Sequence, residues 1–210
     1  MNILITGVGG QGIITLKKVL SYASIKEARF FRASEVHGLS QRGGSVSVHF
    51  RFGKKVNPVR NRERCLRSIS NGVNSPLIGR AEADLIIGLD LLEAARAVDF
   101  ASVNSIYLAN DYFIPFFQLS AFTKEDFLKI VKPMTKNIFI VEATKICQEK
   151  LKSSVFESIF LLGFAFSKKL IPFKEQSLMF GVEKSVPVKF IKQNKEAFNL
   201  PRTFERYSRL

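Results

Sequence analysis

The order of apolar and polar residues separates short buried strands from amphipathic helices. Residues 2–7 form an apolar, β-rich run that ends in glycines, as a buried first strand does. From Gly12 the apolar positions recur every three or four residues, which predicts a helix with one apolar face. These positions are Ile13, Leu16, Val19, Leu20 and Ala23. A second strand is predicted at 28–33.

The pattern changes after this second strand. Residues 34–44 are polar, contain glycines and show no periodicity, which predicts a loop. Residues 45–52 then alternate between apolar and polar side chains, which predicts a half-buried strand. Its apolar face carries Val46, Val48, Phe50 and Phe52. Because no helix precedes this strand, we expect it to be antiparallel or to lie at the edge of the sheet.

Strands and helices alternate through the rest of the chain, apart from one basic segment. Residues 57–74 are basic, rich in Asn and Ser and without an apolar face, which predicts an exposed, flexible inserted loop. Further strands are predicted at 83–89, 103–108 and 137–141, and helices at 91–98, 123–131, 143–150, 155–168, 174–183 and 188–199, with Asp90 and Thr123 as N-caps. We therefore predict one α/β domain over residues 1–210. It should contain a Rossmann-like, mostly parallel sheet with flanking helices, one antiparallel or edge strand and a helical C-terminal part.

Composition limits the functions that the chain can perform alone. Of its 210 residues, 46% are hydrophobic, including 20 Phe, which is enough for a core. We find no signal-peptide pattern and no apolar run of roughly 18 residues, so we expect a cytoplasmic protein without a membrane span. The two cysteines, Cys65 and Cys147, cannot supply the four thiolates of an iron–sulfur cluster, and we expect no metal site.

The net charge of +14 leaves three interpretations open. It is compatible with a nucleic-acid partner, an acidic protein partner or solubility alone. Because Lys and Arg are spread along the chain, solubility is the favoured interpretation, and we expect no nucleic-acid binding.

The first candidate site is a glycine loop. Gly7, Gly9, Gly10, Gln11 and Gly12 fit the pattern G-x-G-x-x-G between a predicted strand and a predicted helix. Such a loop can bind an anion at the helix N-terminus, or it can serve only close packing or contact with a partner chain. A dinucleotide site also needs an acidic residue roughly 20 positions later. Glu35, the nearest candidate, lies too far along and inside the predicted polar loop.

The second candidate site is the polar segment 34–44. It concentrates the residues with the most chemistry: Ser34, Glu35, His37, Gln41, Arg42, Gly43 and Gly44. Arg42 can bind an anion and His37 can transfer a proton. Alternatively, Glu35 pairs with Arg42 and His37 is a structural residue. Residue types alone favour this second interpretation.

The two sites in this order resemble a known family. Gly-Val-Gly-Gly-Gln-Gly at 7–12, followed by Ser-Glu-Val-His-Gly-Leu-Ser-Gln-Arg-Gly-Gly-Ser-Val at 34–46, is similar to the gamma-type subunit or domain of 2-oxoacid:ferredoxin oxidoreductases. The form with Glu-Val-His-Gly and Gln-Arg-Gly-Gly is most similar to the beta subunit of indolepyruvate:ferredoxin oxidoreductases. The chain departs from the family at 57–74, which resembles an insertion, and at Ser158, where relatives tend to carry asparagine.

The resemblance implies an accessory subunit that is inactive alone. Enzymes of this family convert a 2-oxoacid, here indolepyruvate or another aryl pyruvate, and CoA to acyl-CoA and carbon dioxide, and they reduce ferredoxin. This chain would hold no cofactor itself. Thiamine diphosphate, Mg²⁺ and [4Fe–4S] clusters would be carried by a larger alpha-type partner subunit, and ferredoxin would be reduced through the complex.

From these motifs we form a hypothesis about the site. Residues 9–12 and 35–44 would make one surface at the carboxyl ends of neighbouring strands, where α/β sheets bind ligands. Arg42 would face an anion, either the substrate carboxylate or a CoA phosphate, while Glu35 and His37 would order the loop or contact the partner. Two rivals remain: an NAD(P)-binding oxidoreductase and a basic nucleic-acid-binding protein.

Overall fold

The computed structural model describes residues 1–38, 43–55, 75–115 and 121–203. The strands in these ranges are β1 (Asn2–Val8), β2 (Arg29–His37), β3 (Ser45–Lys55), β4 (Leu85–Gly88), β5 (Ile106–Asn110) and β6 (Asn137–Val141). The helices are α1 (Ile13–Lys26), α2 (Leu91–Arg96), α3 (Lys124–Val131), α4 (Ala143–Leu151), α5 (Glu157–Ser167), α6 (Glu175–Ser185) and α7 (Ile191–Asn199). Gln41, Arg42 and the predicted insertion at 57–74 lie outside the described residues.

The strands form a single mixed sheet in the order β2-β3-β1-β4-β5-β6. Strand β3 is antiparallel to both β1 and β2, whereas β1, β4, β5 and β6 are parallel to one another. The predicted fold class, a mostly parallel sheet with one antiparallel strand and a helical C-terminal part, is confirmed. The alternative that placed β3 at the edge is wrong: seven of its residues pair with β1, and β2 is the edge strand.

The predicted loop at 34–44 is also wrong in its first part. Ser34, Glu35 and His37 belong to β2, where Ser34 pairs with His49 and His37 with Val46. The polar composition indicated a loop, but pairing with β3 satisfies the backbone groups whatever the side chains are. Gly38 continues the hairpin, since its N–H donates to Ser45 O at 2.8 Å.

Two later strands begin further along the chain than predicted. Strand β4 begins at Leu85, and β5 spans Ile106–Asn110 instead of 103–108. Before β5 the chain makes a turn in which the Ser102 N–H donates to Ser105 Oγ at 2.7 Å. Hydroxyl groups compete with the strand ladder for backbone partners in this way, so β5 starts only after the turn.

The sheet separates two apolar cores. One core packs β1, β3, β4, β5 and β6 against α1, α4, α5, α6 and α7, and the other packs the opposite face of the sheet against α2 and α3. In β1, Ile3 and Ile5 enter the first core and Leu4 the second, as the twofold period of a strand requires. Helix α5 is buried over residues 157–165 and is the centre of the first core.

The helix starts agree with their sequence signals. Asp90 caps α2, accepting from the N–H groups of Leu92 and Glu93, and Thr123 caps α3 in a capping box with Asp126. In the part of the chain that the structure describes, no helix is long and apolar enough to cross a membrane.

Candidate functional site

The glycine loop and the polar segment meet at the carboxyl edge of the sheet. Gly9 follows β1, and Gly44 precedes β3. The Gly9 N–H donates to the Gly44 carbonyl oxygen at 2.9 Å. Gly10, Gly12 and Gly43 have φ angles of 111°, 87° and 73°, which favour glycine. A side chain at Gly10 or Gly43 would meet open space, whereas one at Gly12 would meet Ser158 Oγ at 2.5 Å. The loop is therefore open towards Gly10 and closed towards α5.

The strands that carry the two motifs are not neighbours, contrary to our hypothesis. Strand β3 lies between β1 and β2, so the start of β3 separates the glycine loop from the end of β2. The motifs meet through Gly43 and Gly44, which lead into β3. Of the predicted residues, Gln41 and Arg42 lie outside the described residues, and their position relative to the loop stays a prediction.

Gln11 ties the glycine loop to the next strand. Its side-chain Oε1 accepts from the Val8 N–H at 2.8 Å, and its Nε2 donates to Leu89 O at 3.0 Å. The side chain is only 8% exposed. Gly7 makes room for it, because a Cβ there would lie 2.8 Å from Gln11 Oε1. Gln11 is thus a structural clamp between β1 and the β4–α2 turn.

Glu35 has a partner in the structure that sequence reasoning did not name. Its carboxylate contacts the Lys17 ammonium of α1 and lies 3.1 Å from His37 Nε2. The hydrogen bond from Lys17, above all, holds the pKa of Glu35 below its usual range, and that from His37 adds to this. The partner proposed for Glu35, Arg42, lies outside the described residues, while Lys17, which sequence reasoning passed over, is its contact in the structure.

A buried polar network lies beneath the glycine loop. The Thr144 hydroxyl donates to Glu157 Oε2 at 2.5 Å, and Asn110 Nδ2 lies 3.5 Å from the same oxygen. Asn110 also donates to Thr144 Oγ1 at 2.7 Å and accepts from the Thr144 N–H at 3.2 Å. Burial raises the pKa of Glu157 to about 7, and nearby Asp90 acts in the same direction.

A second buried carboxyl links β3 to α2. Glu93 is 6% exposed and accepts from the Ser45 hydroxyl at 2.5 Å and from an Arg96 guanidinium N–H at 2.7 Å. Sequence reasoning missed Glu93 and the network around Glu157. A usable signal was present, because Asn110 ends an apolar strand and Glu157 opens a strongly apolar helix.

The residues that the structure describes do not fit an iron–sulfur cluster. Cys147 is buried, and burial raises the pKa of its thiol to about 12, the opposite of what a thiolate ligand needs. The chain's other cysteine, Cys65, lies outside the described ranges. Over those same ranges, no group of three or more His, Cys, Asp and Glu side chains is arranged to hold a metal ion.

Fold and loop together define a Rossmann-like α/β protein with a glycine loop at the carboxyl edge. The family model for pyruvate ferredoxin/flavodoxin oxidoreductase matches residues 2–203. The chain belongs to this family, which confirms the resemblance found in the two motifs. Among curated relatives, the indolepyruvate oxidoreductase subunit IorB of Thermococcus kodakarensis is 30% identical over 205 residues, covering 95% of this chain and 93% of the relative.

Solved structures share the fold at low sequence identity. The pyruvate oxidoreductase subunit PORC of Thermotoga maritima superimposes with a TM-score of 0.67 at 19% identity, over 99% of this chain and 97% of that one. A 2-oxoglutarate:ferredoxin oxidoreductase from Magnetococcus marinus, solved with 2-oxoglutarate, coenzyme A and succinyl-CoA bound, gives a TM-score of 0.66 at 14% identity. It covers 97% of this chain, which corresponds to 30% of that longer chain.

Proposed function

We propose that this chain is the accessory subunit of a 2-oxoacid:ferredoxin oxidoreductase that oxidises indolepyruvate and other aryl pyruvates with CoA. A larger alpha-type subunit would carry thiamine diphosphate, Mg²⁺ and [4Fe–4S] clusters. Thiamine diphosphate would supply the carbanion chemistry there, and the clusters would pass electrons to ferredoxin. This chain would complete the active-site environment and would be inactive alone.

The observation that carries the proposal is the contact between the two family motifs. The Gly9–Gly44 hydrogen bond brings the glycine loop and the segment before β3 together at the carboxyl edge. Ligands of α/β sheets bind at this edge, and the N-terminus of α1 there favours an anion. The similarity to an indolepyruvate oxidoreductase subunit over 95% of this chain supports the same substrate class.

The role proposed for each motif follows from its charge. Arg42 would bind an anion beside the open side of the loop at Gly10, either the substrate carboxylate or a CoA phosphate. Lys17 neutralises Glu35, so the carboxylate at the end of β2 does not repel that anion. His37 completes the contact with Glu35 and is 48% exposed, which fits a surface that faces a partner subunit.

The sheet order argues against the NAD(P)-binding rival. A dinucleotide fingerprint places its acidic residue at the end of the strand next to the glycine strand. Here β3 occupies that place, and Glu35 on β2 is engaged by Lys17. A nicotinamide fluorescence titration of the purified chain should therefore show no binding. For the nucleic-acid rival, which only the net charge of +14 supports, a binding assay at physiological salt should likewise be negative.

The first experiment is purification of the native complex from cells under anoxic conditions, followed by dye reduction that depends on both an aryl pyruvate and CoA. We expect a brown, iron-containing complex that contains this chain and reduces the dye. A colourless chain that purifies alone, with no aryl-pyruvate-dependent activity after addition to the larger subunit, would refute the proposal.

The anion site can be tested in the reconstituted complex with Arg42→Ala. Loss of one charged hydrogen-bonding partner should raise the KM for CoA or for the 2-oxoacid by roughly tenfold or more. Arg80→Ala is the matched control, because Arg80 is 85% exposed and precedes β4 at the opposite edge of the sheet. Unchanged steady-state kinetics in the Arg42 variant would refute the role given to this residue.

A further inference from the structure

Glu157 is a buried carboxyl that the proposed function does not use. It opens α5, is 4% exposed and precedes Ser158, against which Gly12 of the glycine loop packs. Two donors contact it: the Thr144 hydroxyl at 2.5 Å and the Asn110 amide at 3.5 Å. The Thr144 hydroxyl can donate to the ionised carboxylate or accept from the protonated carboxyl, so this contact allows both states.

The network connects this carboxyl to the loop through Gln11. The Gln11 side chain accepts from the Val8 N–H and donates to Leu89 O, the oxygen that Asn110 also contacts. Asn110 Nδ2 donates to this oxygen at 3.1 Å. A change in the hydrogen bonds of Glu157 therefore alters the contacts of Asn110. It reaches Gln11, which holds the loop, through the shared acceptor Leu89 O.

Opposing effects set the proton affinity of Glu157. Burial is the largest and raises the pKa to about 7, and the Asp90 carboxylate at the start of α2 adds to it. The hydrogen-bond donors lower the pKa of Glu157 and so oppose the effect of burial. The positive end of the α5 helix dipole acts in the same direction as the donors. The Cys147 thiol of α4 also interacts with Glu157, and its own raised pKa keeps it neutral. Both protonation states of Glu157 are therefore populated near neutral pH.

We propose that Glu157 is a positioning residue whose proton keeps the glycine loop packed against the start of α5. An ionised carboxylate in this place favours conformations in which water reaches it. Asn110 lies in β5 and Thr144 in α4, whereas the glycine loop with Gln11 has no regular structure and can move more readily than they can. Loss of the proton would move that loop away from α5 and let water reach the carboxylate. This inference deepens the proposed function, because the loop is the anion site proposed above.

Hydrogen exchange of the full-length chain tests the proposal without any ligand. The reporter is the Val8 amide, which donates to the Gln11 side chain. Its protection factor at each pH is the intrinsic exchange rate divided by the measured rate. With a pKa of about 7, the protonated fraction of Glu157 falls roughly tenfold between about pH 6 and pH 8. The protection of Val8 should fall by about the same factor.

The Glu157→Gln variant should abolish this pH dependence, because glutamine keeps the acceptor but does not ionise. Glu142→Gln is the matched control: Glu142 is 46% exposed, precedes α4 and pairs with Lys145, so its variant should behave like the wild type. A flat wild-type profile would overturn the proposal whether or not the variants fold. So would a Glu157→Gln profile that falls as the wild type does.

Coenzyme A binding to the reconstituted complex gives the second readout. The affinity of the wild type should fall roughly tenfold more between about pH 6 and pH 8 than that of Glu157→Gln. Parallel decreases in the two proteins would refute the coupling between Glu157 and the anion. If CoA binds at neither pH, the proposed anion site fails, while the exchange experiment still decides the role of Glu157.

Discussion

Acidic side chains lie at both the carboxyl and the amino edge of the sheet, but two at the first edge are buried, whereas two at the second are exposed. At the carboxyl edge, Asp90 and Glu157 are buried, and burial is the main cause that raises the pKa of each. At the amino edge, Arg51 pairs with Glu82 at 3.6 Å and Arg80 with Asp99 at 3.6 Å, and both carboxylates are more than half exposed. Burial therefore alters the proton affinity of the carboxyls at the carboxyl edge, whereas water screens the ion pairs at the amino edge.

The largest difference should appear with Glu157→Gln. The folded protein holds this proton more tightly than the unfolded chain, so its contribution to stability is complete below pH 4.5 and is lost as the pH rises through about 7. A rise in pKa from 4.5 to about 7 corresponds to about 3 kcal/mol. Urea unfolding should show the variant gaining that much over the wild type between about pH 4 and pH 8. A constant difference across this range would contradict the burial argument.

A smaller difference should separate the two helix caps. Asp90 accepts from the N–H groups of Leu92, Glu93 and Ile114 in a buried place, so Asp90→Ala should cost about 2 kcal/mol. Thr123→Ala removes an exposed cap from α3 and should cost about 1 kcal/mol. Both free energies of unfolding are measured in urea at neutral pH. Equal losses would mean that burial adds nothing to the cap at Asp90.

The smallest effect should be at the amino edge. Arg80 is 85% exposed and Asp99 64%, so Arg80→Ala should change the free energy of unfolding by less than about 0.5 kcal/mol. The same urea titrations measure it. A loss above about 1 kcal/mol would show that the amino edge depends on this charge and would remove the contrast with the carboxyl edge.

Sequence periodicity predicted the elements better than their arrangement. Strand β6 has the predicted limits, and the apolar face of α1 is buried as expected. The errors occur where polar residues take part in pairing. Ser34 and Glu35 were assigned to a loop although they extend β2, because backbone pairing with β3 overrides their composition. The antiparallel direction of β3 was predictable, but its place between β1 and β2 was not.

The candidate site was predictable only in part, for the same reason. The glycine loop carries its own signal, since Gly10 and Gly12 have positive φ angles that follow from local chain geometry. The Lys17–Glu35 pair joins residues 18 positions apart, and the Asn110–Glu157 contact joins residues 47 positions apart. No local pattern indicates such pairs.

The sequence by itself determined the α/β class, the caps of α2 and α3, and the two motifs that place the chain in its family, because these depend on neighbours along the chain. Only the tertiary structure decided that β3 separates the two motif strands and that Glu157 lies under the glycine loop. Burial and long-range contacts alter the proton affinity of a carboxyl, and both arise only when the sheet and α5 pack together.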